Sequence, residues 1–380
     1  MKRGSSLLFP LLVATLAAPV AGAQAPEGPL APRPDATIQM PPPRAQTKLQ
    51  VRVTLINTPV TVRNAKGEMV HTLEATDFHI TDNGVSQRIE HFDVGGEPLS
   101  LVILFETSSR VAPMMPQIRK TGILFTQAVI AASGEAAILG FNDSIDKLQG
   151  FTNDSDQIEK TVSRLDTSTE GSKLYDAMAA GVEMLASRPQ ATAENPGRRR
   201  VLFIVSEAAD NGSKAKLGEV LRQAQLANIT IYSVGLSTTR TELQAEPKNT
   251  HIDATPPGIY GMPGPPGTVQ TPTTEQQRNT GLDLMALAVW AIEHAKDQIK
   301  DHALEVAAAA TGGAHLATFR DRSIEKAIDE IGGELHAQYN ISYTPTGTND
   351  TGYHEIKVHV DQKNLKVRAR PGYFIAPPEG

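Results

Sequence analysis

The sequence has no cysteine and a single tryptophan, Trp290. Without cysteine there is no disulfide, no thiol nucleophile and no lipid attached through sulfur. Stability must come from a packed core, and 380 residues, about 350 without a leader, suffice for two modest domains. Beyond the first two dozen residues no apolar run is long enough to cross a membrane. Positive charge is scarce. The net charge is −6, and losing Lys2 and Arg3 with a leader makes it −8. That excludes a general nucleic-acid binder, which needs a basic face. The only basic run, Arg198-Arg199-Arg200, directly precedes an apolar strand and reads as a solvated strand entrance. Catalytic signatures are missing as well. There is no Gly-x-Ser-x-Gly elbow, no phosphate-binding Walker loop and no His-Glu-x-x-His run. The ten histidines are scattered. His354 and His359 share one strand five residues apart, on opposite faces, as surface or packing residues. The expectation is a protein that is not an enzyme. A hydrolase using Ser108 or Ser206 is the alternative from another class.

What is present begins with an export pattern. Lys2 and Arg3 precede a mostly apolar stretch from Leu7 to Ala18, and Ala21-Gly22-Ala23 offers small residues for cleavage. Residues 1–23 therefore read as a signal peptide, and the chain as exported to a periplasm or the outside. Residues 24–48 hold seven prolines and read as an extended tether. Residues 49–97 alternate apolar and polar positions, with turn signals at Asn64–Gly67 and Asp82-Asn83-Gly84, giving about four strands. Residues 98–336 alternate strand and helix. Strands are expected at Leu99–Phe105, Glu135–Phe141, Arg200–Val205, Ile229–Gly235 and Ala314–Thr318. Helices are expected near 112–132, 154–164, 173–187, 213–227, 281–310 and 322–336, with Asp154 and Ser213 as N-caps. Lys147–Thr152 reads as the second half of a hairpin, an antiparallel edge.

That alternation predicts an α/β fold, a doubly wound and mainly parallel sheet. Residues 240–280 interrupt it with Pro256-Pro257-Gly258 and Pro263-Gly264-Pro265-Pro266-Gly267. Tyr260 and Met262 are the bulky apolar residues of this loop and its candidate anchors. Leu282, Met285, Val289 and Ile292 follow helical spacing beside Trp290. Residues 337–375 return to three strands. Neither β segment buries enough alone, so the two ends are expected to build one small β-sandwich with the α/β domain inserted in it.

Three loops bring oxygen side chains to the carboxyl ends of the strands. They carry Glu106-Thr-Ser-Ser-Arg110, Gly171-Ser-Lys-Leu-Tyr-Asp176 and Ser206-Glu-Ala-Ala-Asp210. Ligands bind at that edge in open α/β sheets, and hydroxyls with carboxylates suit a hard divalent cation. The candidate metal ligands are Glu106, Ser108, Ser172 and Glu207. The candidate binding rim adds Ser109, Arg110, Tyr260 and Met262.

The chain resembles von Willebrand factor A-type domain proteins, and most of all the related family found in acidobacteria. The phrases that carry the resemblance span about residues 50–375. They are Asp77-Phe-His-Ile-Thr-Asp-Asn-Gly84, Leu174-Tyr-Asp-Ala177, Thr311-Gly-Gly313, Tyr343-Thr-Pro345 and Lys366-Val-Arg-Ala-Arg-Pro-Gly-Tyr-Phe374. The resemblance implies a metal-ion-dependent adhesion motif, Asp-x-Ser-x-Ser, then a Thr, then an Asp, with a partner's acid completing the metal's shell. Here Glu106 stands for the first Asp, Ser108 for the first Ser, Arg110 for the second Ser, Ser172 for the Thr and Glu207 for the last Asp. A glutamate reaches about 1.5 Å farther than an aspartate, whereas magnesium holds ligands near 2.0–2.1 Å. Arg110 offers no lone pair. The expectation is a degenerate, metal-free site in a protein that binds a protein partner at the cell envelope. There Arg110 meets a partner's acid or is satisfied internally. Adhesion through a magnesium ion at the same corner is the alternative.

Overall fold

The computed structural model describes residues 55–95, 98–130, 134–189, 198–236, 302–318, 323–346 and 351–375. The signal peptide, the tether, Tyr260, Met262, Trp290 and the helix through 282–292 lie outside the described residues. Among the described residues no helix is long and apolar enough to cross a membrane.

Alternating burial shapes the first strands. They are β1 (Ile56–Arg63), β2 (Phe78–Asp82), β3 (Val85–Gln87) and β4 (His91–Val94). Asn83 and Gly84 both take positive φ between β2 and β3, as the Asn-Gly turn requires. The α/β part then supplies β5 (Leu99–Glu106), β6 (Glu135–Phe141), β7 (Ile145–Thr152), β8 (Arg199–Ser206), β9 (Ile229–Leu236) and β10 (His315–Thr318). Its strand order is β10-β9-β8-β5-β6-β7. Counted from β5, that is the doubly wound 3-2-1-4-5-6 order. All pairs are parallel except β6–β7, the hairpin edge expected at Lys147–Thr152. Every residue of β5 and β8 is buried, as strands covered on both faces must be.

Among the described residues, six helical segments cover the sheet. One face carries α1 (109–130), α2 (Ser155–Ser163) and α6 (Ile324–Ala337). The other carries α3 (Leu174–Ala186), α4 (Leu217–Leu226) and α5 (Ala303–Thr311). The segment α1 is not the single regular helix expected at 112–132. It runs as short 3-10, α and π turns from Ser109–Met114 to Phe125–Ile130. Pro113 and Pro116 lie inside it and withhold amide donors. Phe125 still packs edge-to-face on Phe105 and Phe203, with centroids 5.7 and 4.9 Å apart. Asp154 caps α2 as expected, its carboxylate accepting from the Gln157 amide.

The C-terminal segment gives β11 (Tyr339–Tyr343), β12 (Gly352–Val360), β13 (Lys366–Ala369) and a fourth strand not expected from the sequence, β14 (Gly372–Ile375). Two four-stranded sheets result, β13-β1-β11-β4 and β14-β12-β2-β3. Each mixes strands from both ends of the chain around a core that includes Phe78, Ile80, Tyr339 and Ile341. His354 is buried on β12 against Asp82 and Tyr373, and His359 is exposed.

The basic run corrects the sequence reading. Arg199 and Arg200 are each only 5% exposed, so they are not a solvated entrance. Arg199 donates to the Leu335 carbonyl in the last turn of α6 and to Gln338. Arg200 donates to the Ala227 carbonyl at the end of α4 and to the Arg188 carbonyl beyond α3. Helix C-termini leave carbonyls without partners, and cations there also meet the negative end of the helix dipole. Burial pulls the Arg200 guanidinium below its ordinary pKa.

Candidate functional site

The corner is built at the carboxyl ends of β5 and β8, the two fully buried strands. Glu106 is the last residue of β5 and is 0% exposed. A buried carboxylate must be met by donors. Ser108 donates to Oε1 at 2.6 Å. Ser206, the last residue of β8, donates to Oε2 at 2.7 Å, and the Glu207 amide donates to the same oxygen at 2.8 Å. The Ser108 hydroxyl is thereby drawn away from the capping role its position at the start of α1 offers.

Arg110 lies between two carboxylates. Its Nη2 is 3.7 Å from Glu106 Oε1, and its Nε is 4.0 Å from Glu207 Oε2. The side chains of Arg110 and Glu207 are 16% and 10% exposed. Nε and Nη2 are buried without a direct hydrogen bond. Gaps of this size suit a bridging water.

The loop carrying Ser172 is fastened from three sides. The Ser109 amide donates to the Thr169 carbonyl at 2.8 Å, the Lys173 amide to the Asn142 carbonyl at 2.8 Å, and the Asn211 amide to the Ser172 carbonyl at 2.7 Å. Gly171 lets the exposed Asp143 carboxylate lie close against the backbone of this loop. Ser172 is 0% exposed, and its hydroxyl has no hydrogen-bond partner. The third loop is clamped to α3. Asp210 accepts from the Tyr175 amide at 3.1 Å and Ser213 from the Asp176 amide at 3.1 Å. Asp176 in turn accepts from the Lys214 and Ala215 amides. Ser213 therefore is not the N-cap of α4. That helix starts after Lys216, and the Ser213 hydroxyl serves the first turn of α3 instead.

Glu106, Ser108, Arg110 and Glu207 thus meet at one corner, and Ser109 and Ser172 hold the adjoining loops. Ser206 is the member that sequence reasoning left out of the site. Its signal was its place as the last residue of an apolar strand, directly before Glu207. Among the described residues no group of three or more His, Asp or Glu side chains is set to hold a metal ion.

Neither a family model nor a curated protein matches the chain. Solved structures similar to it include the conserved hypothetical protein BatB from Bacteroides thetaiotaomicron. It has 14% identity, covers 62% of this chain and 98% of that one, and gives a TM-score of 0.38. The SpRpn10 VWA domain has 12% identity over 37% of this chain and 76% of that one, TM-score 0.30. The vWF domain of the type V pili tip protein Mfa5 from Porphyromonas gingivalis has 11% identity over 32% and 41%, TM-score 0.27. The α/β part has a doubly wound, mainly parallel fold with one antiparallel edge, β7. In that fold the corner at Glu106 lies at the ligand edge of the sheet.

Proposed function

We propose that this chain is an exported protein-binding protein, not an enzyme, whose von Willebrand A-type rim works without a metal ion. The N-terminal signal pattern supports export and, with it, a protein partner at the cell envelope. The observation that carries the reading is the position of Arg110, 3.7 Å from Glu106 and 4.0 Å from Glu207. A guanidinium at that range from a divalent ion would cost several kcal/mol even at an effective dielectric of about 20. Both Glu106 oxygens already accept from hydroxyl and amide donors. The donor set therefore does not suit magnesium, and Arg110 takes over part of the ion's charge. Ser108, Ser109, Ser172 and Glu207 shape the rim around it. Tyr260 and Met262, on the 240–280 loop, are its candidate outer anchors.

One observation favours the second reading, adhesion through magnesium: the buried Ser172 hydroxyl has no partner. Calorimetric titration with magnesium and with manganese separates the two. The metal-free reading expects no saturable heat in the micromolar range. Micromolar binding that disappears in Glu207→Ala would overturn it.

A further inference from the structure

The sequence contains two Asn-Gly pairs, Asn83-Gly84 and Asn211-Gly212. Glycine has no side chain to shield its amide nitrogen, so in this pair the nitrogen can reach the asparagine carboxamide carbon. The reaction is an intramolecular substitution. The glycine nitrogen bonds to Cγ, the bond from Cγ to the side-chain nitrogen breaks, and that nitrogen leaves as ammonia with the amide proton. Water then opens the cyclic imide at either carbonyl and gives aspartate or isoaspartate. One water enters and one ammonia leaves.

The fold treats the two pairs differently, although both are exposed. Asn83 sits in the turn between β2 and β3 and is tied twice to Glu355 of β12. Its amide donates to the Glu355 carbonyl at 2.9 Å, and its Oδ1 accepts from the Glu355 amide at 2.9 Å. Cyclisation would break the second bond and undo a turn that holds Asn83 at φ of +46°.

Asn211 is held by its main chain, whose amide donates to the Ser172 carbonyl at 2.7 Å. Among the described residues its carboxamide has no hydrogen-bond partner, and the Gly212 amide donates to none. Nothing lies within 4 Å of the position a Gly212 Cβ would take, so no neighbour obstructs the approach. The flanking residues are fixed. Asp210 accepts from the Tyr175 amide and Ser213 from the Asp176 amide. The pair is thus the untied tip of an anchored loop.

We infer that Asn211 is a site of spontaneous deamidation, from which the hydrogen bonds to Glu355 protect Asn83. The product places a new carboxylate next to Asp210 on the third loop of the rim. The isoaspartate form also lengthens the main chain by one carbon between the two fixed residues.

The test uses the full chain, aged in mildly alkaline buffer at body temperature and mapped by mass spectrometry after digestion at acidic pH. Each event adds one mass unit to its peptide. Asn211 should convert several-fold faster than Asn83 in the folded chain. In the chain unfolded in guanidinium the two should convert at similar rates, because the fold sets the difference. Gly212→Ala should slow conversion at Asn211 strongly, since its methyl group shields the nitrogen. Dichroism checks that this variant folds, and Asn211→Gln is a second variant in which the mass change at this peptide should disappear. Conversion of Asn83 as fast as Asn211 in the folded chain would overturn the inference. So would an Asn211 that converts only after unfolding.

Discussion

At the scale of single residues, the corner carries a backbone conformation its sequence does not favour. Ala208 has φ of +70°, in the left-handed region. An L side chain pays about 1–2 kcal/mol for that geometry. Ala208→Gly should therefore stabilise the fold by about 1 kcal/mol, after allowing for the extra freedom glycine has when unfolded. Urea unfolding checks this, and a loss of stability would mean that the turn is relaxed in solution. The turn has a clear cause. The Ser206 hydroxyl is held by Glu106 and also accepts from the Ala208 amide at 3.0 Å, which bends the chain out of β8. The same hydrogen bonds that neutralise a buried acid thus fix where Glu207 projects.

At the scale of elements, helix ends and one sheet edge carry the testable consequences. Arg199 and Arg200 reach from the start of β8 to carbonyls at or just beyond the ends of α6, α4 and α3. Arg200→Met keeps the apolar stem but leaves two carbonyls without that donor, so it should cost about 1–3 kcal/mol in urea unfolding. A neutral result would mean that water replaces the guanidinium. On the edge strand β10, His315 hydrogen-bonds Ser233 at 2.9 Å and lies 3.8 Å from Glu305, which also faces His302 at 3.7 Å. Burial holds the His315 pKa below its ordinary 6.5, with Glu305 opposing the shift. Below pH 6.5 the unfolded chain takes up a proton that the folded chain refuses. Stability should therefore fall as pH drops from 6.5 towards the lowered folded value, and be fully present above 6.5. His315→Gln should flatten that slope in unfolding measured across the interval. An unchanged slope would assign it to other groups.

At the scale of the molecule, buried charges join the sandwich to the α/β domain. Glu334 on α6 accepts from Arg63 of β1 at 3.1 Å, from Arg368 of β13 and from Tyr232 of β9 at 3.1 Å. Arg370 donates to Asn228 at 2.7 Å and to the Gln225 carbonyl, and burial lowers its pKa to about 10. Gly312, at φ of +81°, is needed where the chain passes Arg370, since a Cβ there would lie 2.6 Å from its amide. Glu334→Ala should cost about 1–3 kcal/mol, because it removes the acceptor shared by the buried Tyr232 hydroxyl and two part-exposed guanidinium groups. The loss should appear in one cooperative transition seen by far- and near-ultraviolet dichroism; two separate transitions would mean that the parts unfold independently. The alternation of apolar runs and helical spacing made this architecture legible, down to the hairpin edge at β7 and the sharing of the sandwich between both ends. The acid and hydroxyls after Phe105 made the corner legible too. The burial of Arg199 and Arg200 was not legible, because a local run of charge does not reveal which helix ends will come to lie beside it. Ser206 was visible on the third loop, but its role as a donor to Glu106, one hundred residues away in sequence, was not.

The central claim is that a guanidinium has replaced the ion, and a crystal soaked in manganese tests it most directly. The account predicts no anomalous peak beside Glu106 in the wild-type chain, with Arg110 within about 4 Å of Glu106 and Glu207 as here. It also predicts a peak in Arg110→Ser, which restores the missing hydroxyl. A manganese ion coordinated by Glu106, Ser108 and Ser172 in the wild type, with Arg110 turned outward, would contradict it.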